Sequence, residues 1–344
     1  MSLVDLVAGP LGPQRARWLV EGLDLHPSLL GDPAPGPGPD GWVPRAVLAQ
    51  ALAVVLLNDL MGRVPSAAAY LEERRGRGEK VFLDHGAVRT VAGVSCGALP
   101  PGQESVTRVL AALGYEHRFT YDLARLGMTG RSWCHLDLPA AIPQYFVSEL
   151  HADRFSPSFQ DAAARVLGSS RDPLDASARS RLAALRSHSG LGDDDARALL
   201  PVLVACFARH HGPPALSDYQ SLLAESEEMA WIATEGTAFN HATDRVDDVE
   251  AVAAAEREAG RPIKDTVEVS GSGRIRQTAH RAPLVTRWFG LSGVDSVSLQ
   301  VPGSFFELIT RLPVPDGSGP DLAFDAANAQ QIFSMTRGGR GRPS

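Results

Sequence analysis

The 344 residues predict an α+β protein whose curved mixed sheet is built from two β-α-β-β-β units, with helices before the first unit and a helical insertion between the two. Three observations lead there. Residues 1–79 read as a helical region, and the stretches between 158 and about 234 carry apolar residues at three-to-four spacing, the period of a helix with one buried face. Residues 80–150 and 237–311 hold short β-branched and aromatic runs punctuated by glycine. Each of these two stretches reads strand, helix, then further strands.

In chain order, residues 10–31 read as a helix around Gln14–Val20, and the Pro/Gly-dense stretch from Gly31 to Gly41 as a loop. Helices follow over 43–61 and 65–75. The first is the longest apolar stretch, but Pro44, Arg45, Gln50, Asn58 and Asp59 interrupt it, so it reads as a buried helix and not a bilayer span. A strand over Lys80–Val91 places His85, Ala87 and Arg89 on one face and Asp84, Gly86 and Val88 on the other. A helix over 103–113 and strands at Tyr115–Asp122, Trp133–Leu138 and Pro143–Leu150 complete the first unit. Helices at Ser158–Leu167, Ala176–Ser187, Asp193–His211 and Ser217–Ala233 form the insertion. The second unit has a strand at Thr237–Thr243 and a helix at Val246–Ala259. Its further strands are Lys264–Ser270, Arg274–Ala279, Val294–Val301 and Ser304–Arg311. The expected division is therefore 1–79, 80–150, 151–236, 237–335 and a disordered tail over 336–344, all within one catalytic domain. No sequence repeat relates the two units.

The net charge of −7 and scattered arginines argue against a nucleic-acid binder. Cys96, Cys134 and Cys206 lie far apart without a C-x-x-C pair, and the N-terminus lacks a basic segment followed by an apolar one. Both point to reduced thiols in a cytoplasmic protein without a membrane partner. Cys134-His135 is a poor nucleophile–base pair, because adjacent strand residues face opposite ways. His210-His211 precedes Gly212-Pro213-Pro214 and reads as a helix end.

The candidate chemistry lies in three polar residues set into apolar, strand-like runs: His85, His241 and Glu307. Two imidazoles and one carboxylate are the ligand set of a non-haem iron(II) site with open positions. Spacing alone does not bring them together. Each has a structural alternative: a satisfied strand histidine for the first two, a surface-facing glutamate opposite Phe306 and Leu308 for the third. Arg89 shares a strand face with His85 at about 13 Å between Cα atoms, a distance suited to holding the far end of a small substrate.

The strings His85-Gly-Ala-Val-Arg89-Thr90, Phe146-Val-Ser-Glu-Leu150, Phe239-Asn-His241-Ala-Thr243, Ile263-Lys264, Arg276-Gln277-Thr278 and Phe306-Glu307 occur in that order. Together they resemble the 2-oxoadipate dioxygenase/decarboxylase family, related to the vicinal-oxygen-chelate fold, over roughly residues 45–335. The resemblance implies His85, His241 and Glu307 as iron(II) ligands and Arg89 as the partner of a substrate carboxylate. It also implies pocket-facing roles for Arg276 and Gln277, and gives Ser148 and Glu149 no assigned role. The implied reaction joins a 2-oxo acid and dioxygen to give carbon dioxide and a 2-hydroxy acid. Leu308 after Glu307, and Ala279-His280 after Thr278, depart from the family pattern in ways that could reshape the pocket. The rival readings are a non-oxidative divalent-metal isomerase or hydrolase with the same ligands, and a non-catalytic small-acid-binding protein. Oligomeric state is left open.

Overall fold

The computed structural model describes residues 1–30, 41–291 and 295–325. Most of the Gly31–Gly41 loop, the start of the Val294–Val301 strand and the 336–344 tail lie outside these residues. At the N-terminus the helix expected over 10–31 is shorter, α2 (Pro13–Gly22), and a separate helix, α1 (Leu3–Leu11), precedes it. Gly12 sits between them at φ +78°, with Pro13 opening the second helix. A short strand, β1 (Trp42–Pro44), leads into α3 (Arg45–Arg63) and α4 (Pro65–Gly76). α3 is buried along most of its length, as its apolar sequence requires.

The first unit is β2 (Leu83–Ala92), α5 (Glu104–Ala112), β3 (Tyr115–Leu123), β4 (Met128–His135) and β5 (Gln144–His151). The insertion is α6 (Pro157–Leu167), α7 (Ala176–His188), β6 (Gly190–Gly192), α8 (Asp193–Ala205), α9 (Leu216–Glu225) and α10 (Glu227–Glu235). The helix expected over Ser217–Ala233 is split. Ser226 adopts extended backbone and its hydroxyl accepts the Met229 N–H, so it ends α9 and caps α10. The second unit is β7 (His241–Arg245), α11 (Val249–Glu258), β8 (Glu268–Val269), β9 (Ile275–Ala279), β10 (Leu284–Gly290), β11 (Ser296–Pro302) and β12 (Phe305–Arg311).

Eight of these strands form one curled mixed sheet in the order β3-β4-β5-β2-β7-β12-β9-β8. In each unit the last strand lies parallel beside the first, β5 on β2 and β12 on β7, while the middle two continue outward. β2 and β7 join the units antiparallel, with Gly86 opposite Ala242. The sheet therefore has an approximate two-fold relation through that pair. β10 and β11 pair with each other as a hairpin outside the curled sheet, with one further bridge from Gly290 to Ala215. β10 was not legible in the sequence because its apolar residues fall on both faces, Leu284 and Trp288 exposed at 63% and 58% while Val285 and Phe289 pack inward, so no clean alternation marks the strand.

Val88, Val147, Ala242, Phe306 and Leu308 on one sheet face join the core of the N-terminal helices. Ala87, Val91, Phe146 and Leu150 on the other face pack under the insertion and the hairpin. Gly86 is required where the units meet: a Cβ there would lie 1.6 Å from the Phe239 ring.

Candidate metal centre

The site is a product of the register across β2, β7 and β12. His85 pairs with Thr243, and Thr243 pairs with Glu307; on the next row Ala87 pairs with His241. Residues opposite one another in a ladder share a face, so both histidines and the carboxylate emerge on the same side. His241 Nε2 lies 3.4 Å from His85 Nε2 and 3.2 Å from Glu307 Oε2, and His85 Nε2 is 3.5 Å from Glu307 Oε2. All three residues are buried. A near-equilateral triangle of that size is what three ligands about 2.1 Å from one ion would span. Glu307 Oε1 is buried without a hydrogen-bond partner among the described residues, as fits a carboxylate that completes its coordination with a cation. The group fits a divalent metal.

Local structure fixes each ligand. The register of β2 shifts between Leu83 and His85, a bulge that brings Asp84 beside His85 instead of onto the opposite face expected from strict alternation. Asp84 Oδ2 then accepts from His85 Nδ1 at 2.8 Å, turning Nε2 toward the other ligands. Arg245 and Arg311 both donate to Asp84. Burial alone would raise the Asp84 pKa, but these two guanidiniums outweigh it and hold the carboxyl far below its usual range. Burial likewise opposes charge on His85, yet its bonds to Asp84 and Glu307 raise its pKa. The His241 pKa is lowered, first by burial and then by the charges of His85 and Arg89. Thr243 Oγ1 lies 3.2 Å from both His85 Nε2 and Glu307 Oε2, donating to the latter.

The triangle opens onto about 430 Å³ of space free of protein atoms, lined by His85, Ala87, Phe146, Ser148, Asn240, His241, Gln277, Glu307, Phe324 and Asp325. The chain beyond β12 closes one side. Arg311 donates to the carbonyls of Asp321 and Ala323, and the Phe324 ring meets His85 edge-on at 4.8 Å. No local sequence signal marked Phe324 or Asp325, because neither lies in a periodic element.

Of the other expected residues, Gln277 lines the cavity and Arg276 does not. Arg276 and Gln277 are neighbours on β9 and must face opposite ways; Arg276 pairs with Glu250 on α11 at 2.6 Å. Arg89 lies on the His85 face but does not line the cavity: its Nη1 meets Glu228 Oε2 of α10 at 2.9 Å, and its guanidinium stacks 4.6 Å from the Trp231 ring. The carboxylate partner expected from a substrate is thus present within the chain. Ser148 lines the cavity, while Glu149 accepts from the Gln103 N–H and from Arg131 and so anchors the start of α5. Cys134 and His135 bond separately to Gln144 and to the Leu113 carbonyl.

Comparison with known proteins follows the same lines. The family described as 2-oxoadipate dioxygenase/decarboxylase matches residues 50–322. The rice (Oryza sativa subsp. japonica) chloroplastic/amyloplastic 2-oxoadipate dioxygenase/decarboxylase is 24% identical over 305 residues, covering 80% of this chain and 75% of that protein. A crystal structure described as a glyoxalase-superfamily protein from Ralstonia eutropha JMP134 is 47% identical, with TM-score 0.88, covering 94% of this chain and 98% of that one. Rice hydroxyglutarate synthase, solved with 2-oxoadipate, shares the fold at TM-score 0.64 and 21% identity over 89% of this chain and 98% of its own. The matched length includes every strand of the curled sheet and all three residues of the triangle, and the chain belongs to the 2-oxoadipate dioxygenase/decarboxylase family.

Proposed function

We propose that this protein is an iron(II)-dependent dioxygenase that oxidatively decarboxylates a small 2-oxo acid to carbon dioxide and a 2-hydroxy acid. The observation that carries the proposal is the buried triangle of His85, His241 and Glu307 at the floor of a cavity, in a chain of this family. In this reading those three side chains hold the metal on one face. Iron(II), when bound, supplies the open positions and the oxidising chemistry.

The chain's own residues position and protect. Asp84 fixes the tautomer of His85 by accepting from Nδ1, leaving Nε2 as a neutral donor toward the metal. Thr243 bonds Glu307 Oε2 and limits rotation of the carboxylate. Gln277, Asn240 and Ser148 offer uncharged hydrogen-bonding groups to the oxygens of a bound acid. Phe146 and Phe324 wall the cavity against water, which keeps competing reactions out.

The test is anaerobic reconstitution with iron(II), then oxygen uptake and carbon dioxide release across a panel of 2-oxo acids. Stoichiometric consumption of both substrates with one carbon dioxide released is expected. Full turnover with zinc and no oxygen uptake would overturn the proposal in favour of a non-oxidative enzyme.

A further inference from the structure

The buried ion pair between Arg89 and Glu228 bears on which acid the site accepts. Ala87 lines the cavity and Arg89 follows two positions later on the same strand face, about 7 Å further on. Its guanidinium does not line the cavity but lies near enough to His241 for its charge to act on that ring, fully buried, against Glu228 and over Trp231. A cation there is the natural receptor for a second carboxylate on a bound acid. In this chain that charge already has an internal counter-ion. Drawing Arg89 toward a ligand carboxylate would strand Glu228, 98% buried, beside an added negative charge.

The cavity lining points the same way. Among the described residues it contains no arginine or lysine; Ala87, Phe146 and Phe324 are apolar, and Ser148, Asn240 and Gln277 are uncharged. The remaining ionisable group outside the triangle is the carboxylate of Asp325, which accepts from the Gly271 N–H. An acid carrying a single carboxylate, with an apolar or uncharged far end, meets a matching wall. An acid with two carboxylates meets neutralised charge and a further carboxylate.

We propose that Glu228 is a specificity-determining residue that neutralises Arg89 and sets the site for 2-oxo monocarboxylic acids over 2-oxo dicarboxylic acids. This inference rests on the 2-oxo acid reading of the site and goes beyond it by naming the substrate class and the residue that selects it.

The test compares 2-oxoadipate with 2-oxohexanoate, in which a methyl group replaces the far carboxylate. Binding of each to the iron(II)-loaded full chain is measured by calorimetry under nitrogen, with oxygen uptake recorded in parallel. The wild-type protein is expected to bind 2-oxohexanoate at least as tightly as 2-oxoadipate. Glu228→Gln keeps the side-chain volume and removes the charge. It is expected to shift the affinity ratio toward 2-oxoadipate by about tenfold or more, with 2-oxohexanoate little changed. Tighter wild-type binding of 2-oxoadipate overturns the inference, as does a folded variant whose ratio stays as it was. If Glu228→Gln fails to fold, the wild-type ratio alone decides. Binding and oxygen uptake with the opposite preference would sink only the role of Glu228. If neither acid binds or is consumed, the 2-oxo acid reading fails and this inference with it.

Discussion

In the first β unit, Phe146 stands on the strand beside Ala87; at the matching place in the second unit, Glu307 stands beside Thr243. The match follows from the sheet. The two-fold relation through Gly86 and Ala242 carries His85 onto His241, Ala87 onto Thr243, and so Phe146 onto Glu307. Both units thus place a histidine on their first strand, and only the second adds a carboxylate from its last. A symmetric pair would enclose a metal with four side chains. Replacing one of the four by an apolar ring leaves three ligands and a free side, which a site that must admit small molecules requires. The histidines differ too. His85 has Asp84 on its Nδ1, whereas the residue before His241 is Asn240 and the Nδ1 of His241 has no hydrogen-bond partner among the described residues. The first unit supports its single ligand from behind, and the second supplies more ligands with less support.

That contrast can be broken at its strongest point by His241→Ala or Glu307→Ala. Each is expected to lower metal affinity by well over about 100-fold, beyond the usual effect of an outer-shell change, and to abolish oxygen uptake. Metal content after dialysis is the measurement, and a fully loaded variant would refute the ligand assignment. Asp84→Asn tests the support given to His85. It should weaken metal binding by about 10–100-fold while leaving the fold intact by circular dichroism. Phe146→His would restore the symmetric fourth ligand. Metal should bind about tenfold tighter and oxygen uptake should fall, because an open position is lost; unchanged uptake would show that Phe146 does not guard that side.

Gly86→Ala probes the two-fold contact itself. Ala242 carries its Cβ without difficulty, but a Cβ at 86 would enter the Phe239 ring. A loss of about 3 kcal/mol in denaturant unfolding is expected. The smallest effect concerns Asp244, which stands where the first unit has the buried apolar Val88. Burial pushes the Asp244 carboxyl up to about 7 despite bonds from Tyr70 and the Phe82 N–H. A carboxyl raised on folding binds its proton more tightly when folded, so its contribution is present below about pH 4 and lost as pH rises through about 7. Asp244→Asn should remove this dependence. The stability of the variant relative to wild type should then improve by on the order of 1–3 kcal/mol between pH 5 and 8, read from paired thermal or urea melts. A difference independent of pH would count against it.

The strands that carry the site were legible because their apolar residues are continuous. His85, His241 and Glu307 stood out because an ionisable group within such a run is costly without a partner. The face shared by His85, Ala87 and Arg89 followed from alternation, and alternation should equally have separated Arg276 from Gln277. Asp84 escaped it because a bulge is a property of two paired strands and not of one. β10 escaped because its apolar side chains divide between its two faces, Trp288 outward and Phe289 inward, and the break at Ser226 because a cap interrupted an otherwise helical pattern.

By itself the sequence determined the two-unit order of elements, the buried α3, the family and the three ionisable residues of the triangle. These depend on periodicity and residue type, which are local. Tertiary structure alone decided that β2, β7 and β12 lie side by side in the register that closes the triangle. It also decided that Phe324 and Asp325 return to line the cavity, and that Glu228 reaches Arg89 from a helix 139 residues further on. Those contacts join segments far apart in the chain, and a charge buried by folding takes whatever counter-ion the fold brings within reach.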